Sequence, residues 1–506
     1  MSLPLASSDP TVNDLQHIPS HASHDIPMVS PPVPKSDDAI YDRFSPQRKV
    51  IITCVVSFCS FLAPMSSTTV LSAIPEVASS LDTTGSIVGV TNAVYLVFMG
   101  VSPCFWAPIS QVYGRRWISF FSALLFFGFS MGTALSPNLA AFFVFRALTA
   151  FQGTSFLIIG TSCIGDIFRP TERGTALGWY LSGSLIGTAL GPFIAGVIVT
   201  YRSWRVIFWL QTAMGGLATV LVFFFQPETI HQTRYGELVG LSFGQKVARL
   251  WQMTNPFRVI KLCRYPNLLT TIAASSALVW TQYSLLTPIR YIINPRFNLT
   301  TPIQSGLFYL APGLGNVAGT FVGGRWADRT VRKWIKNRGV RLPEDRLRSC
   351  IPFLGAVVPG SMLIYGWSIE KKAGGIPLPV IMMFLQGWGT LICFPSLNTY
   401  ALDVMQNRSA EAVASNYMAR YLFAAVGSAV VLPAVEKIGV GWFSTISSVF
   451  LVLSAVGVHC TVFWGKSWRD KIDGRRTRPE TEKVASLQAA AATPDRDVDN
   501  HKEAPV

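Results

Sequence analysis

Charged residues are scarce in this sequence. Asp, Glu, Lys and Arg make up 14% of its 506 residues, whereas a soluble chain carries roughly 25%. Half of the residues are apolar, and they occur in blocks of about twenty, the length that crosses a bilayer. An ordinary water-soluble enzyme is therefore excluded. The composition predicts an all-α membrane protein that crosses the bilayer many times.

Sequence signatures of other function classes are missing as well. There is no Gly-x-x-x-x-Gly-Lys-Ser/Thr phosphate loop, no Gly-x-Ser-x-Gly nucleophile elbow and no Cys/His spacing suited to a metal. The eight cysteines lie mostly inside apolar blocks, where they are small buried hydrophobes rather than a disulfide framework. These absences argue against an ATP-driven pump, an enzyme and a resident metal or cofactor.

Apolar spans follow one another along most of the chain, at 51–71, 87–108, 117–135, 140–164, 174–199, 206–225, 268–289, 303–323, 351–368, 379–402, 413–435 and 442–463. They predict twelve transmembrane helices in two pseudo-symmetric six-helix bundles, 46–225 and 268–465, joined by a central loop over 226–267. The polar tails, 1–45 and 466–506, are expected to lack regular structure. The first tail has no apolar core of the kind that marks a signal peptide.

The basic residues are distributed unevenly between the two sides of the membrane. With the N-terminus placed in the cytoplasm, 33 of the 42 Lys and Arg residues fall in the tails and the even-numbered loops, and seven fall in or beside the outer loops. This asymmetry follows the positive-inside rule and predicts that both termini are cytoplasmic. The net charge of +15 is thus explained by topology, and no nucleic-acid partner is expected.

The two halves carry similar elements at similar offsets. A Gly-Arg-Arg turn at 114–116 lies about 63 residues after the start of the first half, and a related element at 323–329 lies about 60 residues after the start of the second. Two matching six-helix halves indicate an internal duplication. Such an architecture places a substrate site between the halves, near the bilayer midplane.

These features resemble the major facilitator superfamily over residues 44–465. The family signature between spans two and three, Gly-x-x-x-Asp-x-x-Gly-Arg-Arg, corresponds here to 107–116, with Ala107 for its first glycine and Gln111 for its acid. The resemblance implies a charged latch between the halves at the cytoplasmic face. Because the acid is missing at Gln111, Asp166, Glu172 and Arg173 after span four are candidates to take part in the latch instead. The alternative is a simple topology anchor. The candidate gate residues are Gln111, Gly114, Arg115, Arg116, Asp166, Arg173, Asp328 and Arg329.

Spans four and five carry two further signatures. Arg146 with Gln152 and Gly153 resembles the family's Arg-x-x-x-x-x-Gln-Gly element, and Arg146 lies roughly 10 Å inside its span, where a lipid-facing charge is costly. A structural arginine bound to helix carbonyls is the alternative. An element resembling the Gly-x-x-x-Gly-Pro-x-x-x-Gly of antiporters follows in span five, although close helix packing alone also favours such a face; it consists of Gly187, Gly191, Pro192 and Gly196.

Short motifs narrow the resemblance to one branch of the family. Phe-Ser-Pro at 44–46, Gln-Pro-Glu-Thr at 226–229, Ile-Asn-Pro-Arg-Phe at 293–297 and Pro-Glu-Asp-Arg-Leu-Arg-Ser at 343–349 resemble fungal twelve-spanner drug:proton antiporters. That branch includes exporters of drugs, weak organic acids, amino acids and polyamines. The resemblance implies export driven by the proton gradient and leaves the substrate open.

Buried charge suggests the class of substrate. Neither half has an Asp or Glu at mid-depth, yet Arg420 lies about eight residues into span eleven. Together, Arg420 and Arg146 give the cavity a positive potential, which the negative charge of an anionic substrate would compensate. The structural alternative is that backbone carbonyls, water and Asp403 compensate the two arginines. Further residues expected to line this cavity are Asn92, Tyr95, Gln282, Tyr283, Asn398, Tyr400, Asn416 and Tyr417.

We therefore expect export of a small organic acid, for example a dicarboxylate such as itaconate. Broad-specificity drug efflux is the main alternative, followed by nutrient uptake and a non-transporting sensor. The expected partners are a small-molecule substrate, protons and the lipid bilayer, with the protein a monomer in the plasma membrane. The sequon at Asn298 is predicted to face outward as a glycosylation acceptor.

Overall fold

The described part of the chain covers both helical halves. The computed structural model describes residues 41–168, 173–230, 235–236, 239–254, 257, 260–299, 301–339, 342–405 and 409–491. Most of the predicted N-terminal tail, Glu172 and the end of the C-terminal tail lie outside these ranges. We call the face that carries the 226–267 segment the inner face and the opposite one the outer face.

Six long helices form the N-terminal half. They are α1 (Pro46–Thr69), α2 (Gly85–Tyr113), α3 (Arg115–Ala134), α4 (Leu139–Ile167), α5 (Arg173–Tyr201) and α6 (Arg205–Phe225). Polar side chains begin several of them by accepting a hydrogen bond from a first-turn amide. Asn138, for example, accepts from the Ala141 N–H at 2.9 Å at the start of α4.

The C-terminal half repeats this arrangement with α7 (Pro266–Leu286), α8 (Leu310–Arg338), α9 (Val358–Glu370) and α10 (Pro377–Val404). A continuous stretch, Ser409–Ala491, then contains two helices, α11 (409–438) and α12 (440–491), separated at Gly439. Gly439 has φ 82°, a left-handed conformation that glycine tolerates. Glu370 accepts from the Val440 N–H at 3.0 Å, which caps the start of α12.

Helical structure covers most of each of the twelve predicted spans. The span 303–323 begins with a separate short helix, Pro302–Phe308, and the span 351–368 begins with a π-helical turn, Phe353–Val357. Nine helices in the described ranges are long and apolar enough to cross a membrane, and the last of these contains both α11 and α12. The helices α7 and α8 are too polar to pass the same test. They nevertheless lie in the C-terminal bundle beside α11 and α10, respectively.

Three segments differ from the sequence expectation. The helix α8 continues to Arg338, well past the predicted end at 323, because charge ends a bilayer crossing but not a helix; Gly339, with φ 75°, ends it. The predicted C-terminal tail is helical to Ala491, as its Ala, Glu, Lys and Arg content permits without an apolar face. The central loop contains a helix, Phe243–Thr254, which we call the linker helix.

The halves meet along α2 with α11 and along α5 with α8. At the outer face, apolar residues of both halves form one buried cluster, which includes Leu71, Ile74 and Phe208 together with Leu286 and Ile289. Gly196 of α5 lies against Pro302 and Gly306, just before α8. The outer ends of the two bundles are therefore packed together in this structure.

Candidate functional site

Arg420 is held by amide groups in the C-terminal half. Its side chain is on α11, and the residue is 9% exposed. The Nη2 atom donates to Asn398 Oδ1 of α10 at 3.0 Å and to Asn416 Oδ1 at 3.3 Å. Asn416 also donates to Asn398 at 2.9 Å, which fixes both amides. The acceptors that hold this guanidinium are thus neutral, so they orient its charge without cancelling it.

Aromatic rings enclose the same guanidinium. Its central carbon lies 4.6 Å from the Phe394 ring centroid and 4.8 Å from the Tyr417 ring centroid. Tyr417 stacks on Tyr421 with ring centroids 6.1 Å apart. Cation–π contacts of this kind strengthen as water is excluded. The Nε atom of Arg420 is buried and has no hydrogen-bond partner, so the group keeps an unused donor.

Arg146 forms a comparable arrangement in the N-terminal half. The residue is 1% exposed, and its Nη2 donates to Asn92 Oδ1 at 3.4 Å. Its guanidinium carbon lies 4.5 Å from the Tyr95 ring centroid. Both Nε and Nη1 are buried without a partner. Each half therefore holds one buried arginine between an amide and an aromatic ring.

Polar contacts join the two halves next to these arginines. Asn92, which accepts from Arg146, donates to Ser428 Oγ of α11 at 3.2 Å. Ser67 of α1 and Tyr283 of α7 lie within hydrogen-bonding distance at 3.2 Å. Tyr95 donates to the neighbouring Ser66 at 2.8 Å. The structure thus brings Asn92, Tyr95 and Tyr283 to the interface between the bundles.

Two further expected cavity residues, Tyr400 and Gln282, and the signature residue Gln152 have different surroundings. Tyr400 is buried and accepts from Asn267 Nδ2 at 3.3 Å, near the inner end of α7. Gln282 is half-buried on α7. Gln152 accepts through Oε1 from Ser122 at 3.3 Å, a contact between α4 and α3 within one bundle. Tyr400 and Gln152 therefore act in packing between helices in this conformation.

The Gly-Arg-Arg turn is bound by residues of the N-terminal half and by Glu228, just after α6. Arg115 Nε lies 3.3 Å from Asp166 Oδ2, and its Nη1 donates to Ser110 at 2.6 Å. Glu228 accepts from the backbone N–H groups of Arg115 and Arg116 at 2.7 and 3.2 Å. A carboxylate at a helix N-terminus is favoured by the helix dipole. Glu228 was not among the predicted gate residues, although its Gln-Pro-Glu-Thr motif was visible.

The other predicted gate residues have varied surroundings. Gln111 is half-buried at the end of α2, and Gly114, with φ 91°, makes the turn into α3. Asp328 and Arg329 are exposed on the inner extension of α8. Arg173 begins α5, and its side chain lies outside the described part of the structure.

A second ion-pair group lies at the inner face of the C-terminal half. Asp345, which is fully buried, lies 3.0 Å from Arg338 Nη1 and 3.7 Å from Arg348 Nε. Glu344 lies 2.6 Å from Arg469 Nη2 of α12. These contacts tie the loop before α9 to α8 and α12. The Pro-Glu-Asp-Arg-Leu-Arg-Ser motif therefore fixes the inner ends of three helices.

Glycines of α5 form a close-packed face against α1. A Cβ atom at Gly187 would overlap the carbonyl oxygen of Phe61, and one at Gly191 would lie 3.0 Å from the Met65 oxygen. The carbonyl oxygen of Pro192 accepts from Ser72 Oγ of the first half at 2.8 Å. Gly196 lies against the other half at Pro302. The face predicted from the antiporter-like element is thus used for packing within and between the bundles.

The variant Gly187→Ala tests this packing. The added methyl forces α5 away from α1, so we expect the melting temperature of the purified protein to fall by about 5 °C, the scale of an overpacked core. The matched control is Gly178→Ala on the same helix, where a Cβ meets nothing within 4 Å. Equal melting temperatures for the two variants would contradict the packing role.

A bidentate ion pair joins the two halves at the outer face. Arg290, which follows α7, binds Glu76 through Nη1 to Oε2 at 2.9 Å and Nη2 to Oε1 at 3.0 Å. Arg290 also donates to the Ser72 carbonyl oxygen. Such paired charged hydrogen bonds are geometrically specific. We call Glu76, Arg290 and Ser72 the outer latch.

Asn298, the predicted glycosylation acceptor, is exposed and has φ 53°. Thr300 of its sequon lies outside the described ranges.

Removing the charge of Glu76 should weaken the outer latch. We expect Glu76→Gln to raise the ratio of outer-open to outer-closed protein about fivefold, because a neutral amide replaces one charged partner. The measurement is the distance between spin labels at the exposed positions Ser80 and Lys371, by electron–electron double resonance. The background replaces Cys54, Cys263 and Cys460 by serine.

Two controls accompany that measurement. Asp82→Asn removes an exposed outer charge and keeps a residue that tolerates the φ of 46° found there, so its distances should match those of the wild type. Glu76→Arg combined with Arg290→Glu should restore the closed distance. An unchanged distance distribution in Glu76→Gln would show that the ion pair does not hold the outer face closed.

Comparisons with known proteins agree with this architecture. The sequence model of the protein family described as Major Facilitator Superfamily matches residues 56–428 of this chain. The MFS antiporter QDR3 of Candida albicans is 25% identical over 84% of this chain and 79% of its own length. Citrate exporter 1 of Aspergillus niger is 24% identical over 84% of this chain and 88% of its own length.

The fold is also similar to a solved structure. The crystal structure of the human organic anion transporter MFSD10 (TETRAN) matches with a TM-score of 0.63. The match covers 82% of this chain and 100% of that one, at 14% sequence identity. At this identity the similarity concerns the arrangement of the helices alone.

Proposed function

We propose, since this chain belongs to the major facilitator superfamily, that it exports a small organic acid by alternating access between its two bundles. The chain is a multi-pass membrane transporter and not an enzyme. The substrate, the direction and the energy source are the parts that we propose. Proton exchange, the plasma membrane and cytoplasmic termini complete the proposal, the last of these from the distribution of basic residues.

The observation that carries the substrate class is the charge on Arg420. A buried cation is costly in a low-dielectric interior unless an anion or several hydrogen-bond acceptors compensate its charge. Asn398 and Asn416 occupy Nη2, whereas the buried Nε is left without a partner. A carboxylate bound there would receive a charge-assisted hydrogen bond and supply the missing negative charge.

The N-terminal half offers a second position for an anion. Arg146 has two buried nitrogen atoms without partners, Nε and Nη1. A dicarboxylate provides one negative group for each half, whereas a monocarboxylate satisfies only one of the two arginines. We therefore favour a dicarboxylate of the itaconate type, or a related polycarboxylate. The relative named Citrate exporter 1 supports this class.

Broad-specificity drug efflux is the second candidate. Aromatic side chains contact the two arginines, Tyr95 at Arg146 and Phe394 and Tyr417 at Arg420, and Tyr283 belongs to the same apolar cluster as Tyr95. Flat rings of this kind also bind uncharged or cationic aromatic molecules. The relatives named QDR3 antiporter and Efflux pump radE, from Floropilus chiversii at 26% identity, are consistent with it.

Energy from the proton gradient follows the resemblance to antiporters. In inside-out vesicles an exporter of this kind accumulates substrate when the lumen is acidic, because lumenal protons leave as substrate enters. Uptake carriers show the reverse dependence, and a sensor accumulates nothing. Accumulation of labelled itaconate or citrate under an acidic lumen is therefore the expected behaviour.

The variant Arg420→Ala tests the proposed substrate site. We expect the initial rate of itaconate or citrate accumulation to fall about tenfold or more, the effect of losing one charged hydrogen-bonding group. Arg420→Lys should recover part of the rate, since it keeps the charge but loses the planar fork. The measurement uses radiolabelled acid in inside-out vesicles with matched amounts of folded protein.

Two comparisons make the result specific. Arg202→Ala removes an exposed arginine of the outer loop between α5 and α6 and should leave the rate unchanged. A lipophilic cation such as tetraphenylphosphonium should not be accumulated if the acid proposal holds. Wild-type acid transport by Arg420→Ala would refute the role of Arg420, and cation transport without acid transport would favour drug efflux.

A further inference from the structure

The linker helix presents an exposed apolar stripe. Phe243, Val247 and Trp251 are spaced four residues apart, so they lie along one side of the helix. Their exposed fractions are 84%, 50% and 71%. Large apolar side chains grouped in this way mark a binding surface rather than a water-facing one. The stripe lies on the segment that joins the two bundles, and it is separate from the arginine site.

Basic residues accompany the stripe. Lys246 projects at the edge of the apolar side, and Arg249 projects further toward the polar side, as the 100° step of an α-helix requires. The whole 226–267 segment contains six Lys and Arg residues but only two acids, Glu228 and Glu237. Glu228 already binds the start of α3. A basic amphipathic helix of this kind suits an anionic, apolar surface.

The position of the linker helix points to the bilayer as that surface. The segment is anchored at the end of α6 and the start of α7, which are both membrane helices. The linker helix contacts α2, and Tyr113, the last residue of α2, lies 6.2 Å from Tyr235 between ring centroids. Tyrosines at this level are typical of the membrane interface. The helix is thus held where α2 leaves the lipid.

We propose that the linker helix lies in the inner leaflet, with Phe243, Val247 and Trp251 among the acyl chains and Lys246 and Arg249 on anionic phospholipid headgroups. Burial of the stripe in lipid removes its apolar surface from water. The two basic side chains add an attraction that depends on headgroup charge. The linker between the halves is then attached to the membrane beside the Gly-Arg-Arg turn, so lipid composition acts on the segment that must follow the movement of both bundles.

Paired labels on the full-length protein test this placement. An environment-sensitive fluorophore is attached at Val247→Cys or at the exposed Gln252→Cys, in the background with Cys54, Cys263 and Cys460 replaced by serine. The protein is placed in nanodiscs of phosphatidylcholine with or without phosphatidylserine, one copy per disc. We expect the label at 247 to be quenched by nitroxide lipids and the label at 252, which lies about 140° around the helix from 247, to be quenched by aqueous iodide.

Charge reversal tests the lipid preference. Lys246→Glu with Arg249→Glu should remove most of the extra nitroxide quenching that phosphatidylserine produces at position 247. Lys333→Glu with Lys336→Glu, which reverses two exposed lysines on the inner extension of α8, should leave it intact. Equal iodide quenching at 247 and 252 would overturn the proposal. So would a protected label at 247 that nitroxide lipids do not reach, or one that is protected only when discs hold two copies.

Discussion

The cost of burying positive charge is the constraint on which this account depends. Arg146 and Arg420 lie inside the bundles, where an uncompensated cation is strongly unfavourable. Amide oxygens and aromatic rings orient both guanidinium groups, and unpartnered nitrogen atoms remain on each. The protein thus provides hydrogen bonds to its own neutral groups and leaves the balancing charge to be supplied from elsewhere. An anionic substrate is the simplest supplier, because it arrives with the charge that the site lacks.

The contacts between the halves determine how such a site is reached. At the outer face, apolar packing, the glycine contact at Gly196 and the Glu76–Arg290 pair hold the bundles together. The ion-pair groups at the inner face, around Arg115 and Asp345, lie within one half each. They therefore stiffen each bundle rather than joining the two in this conformation. A rocking motion of the two bundles that breaks the outer contacts would expose the arginine site to the outer side of the membrane.

Much of the helical framework could be predicted from hydropathy, because the thickness of the bilayer sets the length of an apolar span. The end of α8 could not, since it depends on Gly339 and not on where the lipid stops. The hydrogen-bond partners of Tyr400 and Glu228 could not be predicted from the sequence either. Depth along a helix does not show which neighbour a side chain meets, and Glu228 finds α3 only through the tertiary fold. The buried arginines were identifiable because charge inside an apolar span is rare.

The most direct test of the central claim is the affinity of the purified protein for a carboxylate and for its neutral analogue. Calorimetric titration with itaconate and with itaconic diamide compares molecules of nearly equal size that differ in charge. If substrate supplies the missing negative charge, itaconate binds and the diamide does not, and Arg420→Ala abolishes the difference. Equal affinity for the two compounds in the wild type would contradict the claim.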